Sequence, residues 1–245
     1  MKTRIDLLLV ERGLAPSRAR AQSLIMAGAV LVDDVPVTKA GQTVASDATV
    51  RLRGEDHPYV SRGGLKLAAA LDQFNIPVDG RTALDVGAST GGFTHVLLLR
   101  GVKKVFAVDV GKGQLDWKIR SDARVVALDE KNARFFESSW IGHTPIDLVV
   151  MDVSFISQTK IIPALLPALG PAADLVTLIK PQFELAPEKI GKGGIVRSEV
   201  DHQAAVLAVT QTLGTLGLSR KGLISSPITG TQGNIEFLAH WKMQS

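Results

Sequence analysis

Short apolar runs that end in a charge or a glycine alternate with helical-period segments over most of this chain. From residue 58 onward the runs Ala83–Val86, Val105–Asp109, Arg124–Leu128, Asp147–Asp152, Leu175–Lys180, Gly222–Ile228 and Ile235–Trp241 predict seven strands. Strands alternating with helices predict an α/β layer structure, a Rossmann-like, mostly parallel sheet with helices on both faces. The first part of the chain has another rhythm. Arg4–Arg12 reads as a helix stopped by Gly13, and Ser17 as the N-cap of a second helix, Arg18–Ala27, closed by Gly28. Ala21, Leu24, Ile25 and Gly28 share one face, which leaves Arg18 and Arg20 to solvent. A hairpin follows, Ala29–Val32 and Val35–Val37 about Asp33-Asp34, then a third strand, Asp47–Leu52. The polar stretch Arg53-Gly54-Glu55-Asp56-His57-Pro58 has the composition of a boundary. Two domains are expected: a small α+β one at 1–57 and the α/β one at 58–245.

Composition narrows the chemistry. The 245 residues include no cysteine, which excludes disulfides, thiolate metal centres, iron–sulfur radical chemistry and a thiol nucleophile. No metal site is expected. Net charge is +4, with a pI near 9.4, which favours an anionic partner. Five basic and two acidic groups in the first thirty residues concentrate that charge at the start. The apolar run Leu7–Val10 is too short for a signal peptide, and no stretch approaches a membrane span. A cytoplasmic protein is expected.

The strand at Leu84-Asp85-Val86 enters the turn Gly87-Ala88-Ser89-Thr90-Gly91-Gly92, and a helix follows from Phe93 to Arg100. Glycines there let the backbone approach a ligand, and the helix start adds amide donors. Asp109 ends the next strand 18 residues past Gly91, near the spacing at which an acid reaches ribose hydroxyls. Gly87-x-x-x-Gly91-Gly92 is not G-x-G-x-x-G; the looser turn suits a ligand without pyrophosphate, such as S-adenosylmethionine (SAM). A glycine-rich turn of no particular function remains open on this motif alone.

Ligands of open α/β sheets sit beyond the carboxyl ends of the strands. Asp152 and Lys180 end two apolar strands, Glu236 falls inside the last one between Ile235 and Phe237, and Lys66 opens the domain. Ionised groups among apolar neighbours need partners. Two structural salt bridges would satisfy them, as would one converging cluster of two lysines and two carboxylates. The cluster suits methyl transfer to an alcohol: a hydroxyl needs a base, and a lysine crowded by a second lysine and partly desolvated can serve as one. Amine methylation is disfavoured, because the turn Asp152-Val153-Ser154-Phe155 has no proline.

Two family resemblances follow. Ser17-Arg18-x-x-Ala21-x-x-Leu24-Ile25-x-x-Gly28-x-Val30-x-Val32-Asp33 resembles the RNA-binding module named after ribosomal protein S-four, with Asp33-Asp34 in place of the usual Asn-Gly. The resemblance implies that Arg4, Arg18 and Arg20 face RNA phosphates, with the first carboxylate of the turn weakening contact locally. Ser61-Arg62-Gly63-Gly64-x-Lys66-Leu67, Asp85–Thr94, Asp109-Val110-Gly111-x-Gly113-Gln114-Leu115, Asp152-x-Ser154-Phe155-Ile156-Ser157 and Lys180-Pro181-Gln182-Phe183-Glu184 occur in one order that resembles the TlyA family, often labelled "hemolysin". That resemblance runs over nearly the whole chain. It implies an FtsJ-like methyltransferase acting on cytidine 2′-hydroxyls of ribosomal RNA, with a Lys-Asp-Lys-Glu tetrad on Lys66, Asp152, Lys180 and Glu236. It implies SAM contacts from Asp85, Gly87, Ser89, Thr90, Gly91, Gly92, Phe93, Asp109, Val110 and Asp129. It also implies a loop at Ile190–Gly194 that closes over substrate. The chain's short ends associate it with the large ribosomal subunit as partner. A non-catalytic rRNA-binding assembly factor and a cytolysin are the competing readings.

Overall fold

The computed structural model describes residues 2–26, 28–52, 57–230 and 233–244. Ala27, expected as the last residue of the second helix, and Arg53–Asp56 of the expected boundary lie outside them. The chain divides into two units, Met1–Pro58 and Tyr59–Ser245.

In the first unit, Ile5, Leu8 and Leu9 of α1 (Ile5–Glu11) pack on Ala21, Leu24 and Ile25 of α2 (Arg18–Met26). Ser17 caps α2, its Oγ accepting from Arg20 N at 3.2 Å, and Gly28 ends the turn at φ +67°. Two short strands escape the sequence pattern: β1 (Lys2–Arg4) and β4 (Thr43–Ala45), paired antiparallel. Three residues each are too few to establish a period of two. The hairpin forms as expected from β2 (Val30–Val32) and β3 (Val35–Val37), with β5 (Val50–Leu52) on the other side of β2. Asp33 and Asp34 both hold positive φ, the demand of a tight hairpin turn. The Asp33 carboxylate accepts from Thr49 N at 2.9 Å and Asp34 pairs with Arg51 at 2.6 Å. Asp33 thus pins the hairpin to the strand entry while remaining exposed.

The second unit carries one seven-stranded sheet. Its strands are β6 (Thr82–Val86), β7 (Lys104–Val108), β8 (Val125–Leu128), β9 (Ile146–Met151), β10 (Leu169–Ile179), β11 (Leu218–Ser225) and β12 (Phe237–Met243). They lie in the order β11-β12-β10-β9-β6-β7-β8; β6 to β10 run parallel, and β12 is antiparallel to both neighbours. Burial on both faces explains the unbroken apolar runs of β6 and β9. One face packs on α3 (Gly63–Gln73) and α4 (Gly92–Leu99), with Leu67, Leu71, Val96 and Leu97 fully buried. The other packs on α6 (Ile162–Leu165) and α8 (Glu199–Thr215), around Ile162, Leu165, Val209 and Leu213. Each such side chain contributes about 1.5–3 kcal/mol by leaving water. Short helices α5 (Trp117–Arg120) and α7 (Pro181–Glu184) sit at strand exits.

Several expected strand bounds change: the strand placed at Leu175–Lys180 spans Leu169–Ile179, and that at Asp47–Leu52 only Val50–Leu52. The strand placed at Gly222–Ile228 spans Leu218–Ser225, because Ser226 turns the chain, its N donating to Glu236 O and its Oγ to Ile228 O. Glu236, expected inside the last strand, precedes it by one residue. It therefore stands at the mouth of β12 rather than within the ladder.

Candidate functional site

At the end of β6, Gly87 adopts φ +81°, and a Cβ there would stand 2.4 Å from the backbone oxygen of Asp152. No side chain fits, so the glycine is what lets the turn and the end of β9 touch. Gly92 answers a different demand. A Cβ on it would lie 2.2 Å from Ser61 Oγ and 3.1 Å from Gly64 N, so it admits the Ser61–Gly64 segment against the turn. Phe93 points into the core with 4% exposure, which leaves its backbone alone to meet a ligand. Ser89 and Thr90 are exposed.

Asp85 is fully buried behind this turn. Its Oδ2 accepts from Thr94 Oγ1 at 2.6 Å, and its Oδ1 has no hydrogen-bond partner. Burial pushes this carboxyl up to about 7, opposed by the Thr94 hydroxyl and assisted by the charges of Asp152 and Asp109. An unpaired buried acceptor of this kind fits a cationic ligand group.

Parallel register aligns Val86, Val108 and Leu128 across β6, β7 and β8, so Gly87, Asp109 and Asp129 emerge side by side. Asp109 accepts from Ser89 N at 2.8 Å through Oδ2 and from Gly111 N at 2.7 Å through Oδ1. Beside it Val110 is 69% exposed, an apolar surface at the mouth of the turn. Asp129 accepts from Arg120 at 2.7 Å and Gly113 N at 3.2 Å, and the Arg120 hydrogen bond holds its carboxyl below the usual range.

The four charged residues form two pairs. Lys66 Nζ of α3 lies 2.5 Å from Glu236 Oε2, and Lys180 Nζ lies 2.6 Å from Asp152 Oδ1. The second is a charge contact outside hydrogen-bond alignment, while Lys180 donates to Ser154 Oγ at 2.8 Å. Both lysines and Glu236 are buried. β10 and β12 pair Ile179 with Phe237, so one further step of that antiparallel register sets Lys180 opposite Glu236. The pairs are thereby neighbours, and salt bridges and cluster are one arrangement. Gly230 folds over Glu236: a Cβ there would meet Oε1 at 2.0 Å.

Three groups here stood in the quoted motifs with no role given to them, Ser154, Phe155 and Glu184. Phe155 holds φ +65° and is 91% exposed, with its ring 5.2 Å from that of Phe183. A bulky residue at positive φ is an outlier that accumulates at functional positions. Glu184 closes α7 and accepts from the loop carrying Ser154.

In the first unit Arg18 is exposed, as expected, while Arg20 is half-buried, and both have partners within the unit. Arg4 and Arg18 both bond the buried carboxylate of Asp6, at 3.0 and 2.9 Å, joined by Gln22 at 3.1 Å. Arg20 donates to His57 O at 2.7 Å. Arg4 chiefly holds the Asp6 carboxyl well below the usual range, against its burial. These arginines have structural partners, a consequence of one acid placed in the first turn of α1. Arg18 is still exposed on its outer side.

Residues 59–243 match the model of the FtsJ-like methyltransferase family, and residues 3–50 that of the S4 domain. The chain is 45% identical over 246 residues to the 16S/23S rRNA (cytidine-2'-O)-methyltransferase TlyA of Mycobacterium tuberculosis, covering 100% of this chain and 91% of the relative. It is 40% identical to Hemolysin A of Brachyspira hyodysenteriae, covering 97% and 99%. A solved hemolysin-named structure from Streptococcus thermophilus superposes with a TM-score of 0.79 at 43% identity, covering 100% of this chain and 89% of that one. On the two domain matches and these full-length likenesses, the chain belongs to the TlyA family, an S4 domain followed by an FtsJ-like methyltransferase domain.

Proposed function

We propose that this chain methylates the ribose 2′-hydroxyl of a cytidine in ribosomal RNA, with the large subunit as substrate and SAM as donor. The two lysine–carboxylate pairs, set side by side at the carboxyl ends of the strands and one backbone contact from the glycine turn, carry this reading. SAM, when bound, supplies an electrophilic methyl group on a sulfonium. Asp85, with its unpaired oxygen, would face the cofactor's amine, and Gly87, Ser89, Thr90, Gly91, Gly92 and the Phe93 backbone would line its amino-acid end. Asp109 would hold ribose hydroxyls, Val110 would flank the adenine and Asp129 would receive its amine, each aligned by the parallel register.

Lys180 is the proposed proton acceptor for the 2′-hydroxyl. Lys66 would place the ribose oxygen; Asp152 and Glu236 orient the two lysines. Because the sulfonium is already a good leaving group, alignment of oxygen, methyl carbon and sulfur is the main task. Phe155, exposed at the rim, offers a stacking face for an unstacked base, worth about 1–3 kcal/mol in single-stranded recognition. Arg4, Arg18 and Arg20 of the S4 domain (1–57) would position the RNA through phosphates, ahead of the methyltransferase domain (58–245). The segment Ile190–Gly194, exposed from Gly191 on, would close on the substrate. Among the described residues no helix is long and apolar enough to cross a membrane, and a cytoplasmic site of action is part of the proposal.

The test is a map of 2′-O-methyl positions in total rRNA from a deletion strain with and without this chain. A cytidine methylated only in its presence is expected in the large-subunit rRNA. Identical maps, with SAM and rRNA still bound by the purified chain, would instead favour an assembly factor.

A further inference from the structure

We propose that Glu184 is a positioning residue that fixes the 152–158 loop, and with it Asp152 and Ser154, against the Lys180 ammonium. The inference rests on the reading of Lys180 given above only for its catalytic consequence. An ammonium has three N–H groups. Asp152 and Ser154 lie against two directions of the Lys180 nitrogen, at 2.6 and 2.8 Å, which leaves the third for a substrate oxygen: an N–H in the ammonium, the lone pair in the neutral amine that would accept the 2′ proton. That division holds only while the loop keeps its place.

Backbone pairing does not hold it. The β9–β10 ladder ends at Met151 opposite Thr177, and Asp152 N makes the last ladder-like contact, to Val86 O at 3.0 Å. Beyond it the loop passes through Phe155 at positive φ, a conformation that persists only where surroundings impose it. On the other side Lys180 turns at once into α7, with Phe183 N donating to Lys180 O at 2.9 Å. Glu184, at the end of that turn, reaches back with both oxygens: Oε2 accepts from Ser157 Oγ at 2.5 Å and Oε1 from Gln158 N at 3.1 Å. The Phe155–Phe183 ring contact lies between the same two segments. Burial raises this carboxyl, opposed by Ser157, Gln158 and the charge of Lys160. A desolvated carboxylate whose hydrogen bonds all go to one loop is a latch for that loop.

The experiment uses the full chain and the variants Glu184→Ala, Glu184→Gln and Ser157→Ala. Single-turnover methylation of rRNA separates maximal rate from half-saturation, and nitrogen-15 NMR follows the Lys180 ammonium, assigned by its loss in Lys180→Arg. Glu184→Ala is expected to lower the maximal rate roughly 10- to 100-fold, the scale of a small misplacement, with SAM and RNA affinities unchanged. Glu184→Gln keeps one acceptor for Ser157 and recovers much of the rate; Ser157→Ala keeps the Gln158 bond and loses less than Glu184→Ala. The Lys180 resonance, protected in the wild type, should broaden into water exchange in Glu184→Ala. A full rate in Glu184→Ala overturns the latch, as does a rate loss matched by equal loss of SAM affinity in all three variants. Should the wild type transfer no methyl group, the proposed function fails while the resonance still decides the latch: an unchanged signal in Glu184→Ala overturns it.

Discussion

Asp85→Asn should stabilise the folded protein relative to wild type, increasingly so as pH rises, and weaken SAM binding at the same time. The carboxyl titrates near 7 in the folded chain and near 4, roughly, when unfolded. Between those values the folded state keeps a proton that the unfolded state has lost, so wild-type stability falls as pH climbs through this window. Above 7 the full cost of a buried charge is present, about 4 kcal/mol at about 1.4 kcal/mol for each tenfold ratio. Asparagine removes that cost. Its amide oxygen still accepts from Thr94 Oγ1, and its amino group leaves an unpaired donor where Oδ1 stood unpaired before, a penalty with no pH dependence. Urea unfolding from pH 5 to 8 should therefore show the variant gaining on wild type by about 2.7 kcal/mol, levelling off above pH 7. Calorimetry should show wild-type SAM affinity rising roughly tenfold from pH 6 to 8, with a proton released on binding, since the cofactor's positive groups favour the ionised acid. The variant should show neither. Parallel stability curves for the two proteins would refute the argument that Asp85 is an unpaired buried acid.

Lys180→Ala should keep SAM and RNA binding and lose at least roughly 100-fold in single-turnover methyl transfer, the usual weight of a general base; Lys180→Arg should be nearly as poor, because guanidinium keeps its proton, and an active arginine variant would reduce position 180 to a source of charge. Gly87→Val places a side chain on the Asp152 carbonyl and should abolish measurable SAM binding in a chain that circular dichroism shows to be folded; retained affinity would remove the turn from the cofactor site. Arg18→Ala with Arg20→Ala should lower the salt slope of rRNA binding by roughly one for each phosphate no longer neutralised, and leave SAM affinity intact. An unchanged slope would confine those arginines to Asp6 and the His57 carbonyl. Phe155→Ala should lower RNA turnover by roughly tenfold or more through the missing stacking face, without changing SAM binding, and an unaltered rate would leave the exposed ring unexplained.

Periodicity was sufficient for the architecture of the second unit, because a parallel sheet buried on both faces leaves runs such as Leu148–Val150 that no surface helix would carry. The same logic marked the chemistry. Parallel strands deliver their carboxyl ends to one side, so a charge closing an apolar run, as Asp152 and Lys180 do, is legible without coordinates. The glycine turn was legible for a similar reason, since a strand followed by clustered glycines constrains the local chain alone. Pairing was not. Lys66 meets Glu236 across 170 positions of sequence, and whether four charges make separate bridges or one cluster depends on the β10–β12 register. Nor could sequence tell that Arg4 and Arg18 share Asp6, that Phe155 stands exposed at positive φ, or that Glu184 reaches the loop bearing Ser154. A side chain's type sets what it can bond, but its partner is set by which strand ends the fold brings together, and that is decided by packing summed over the whole core.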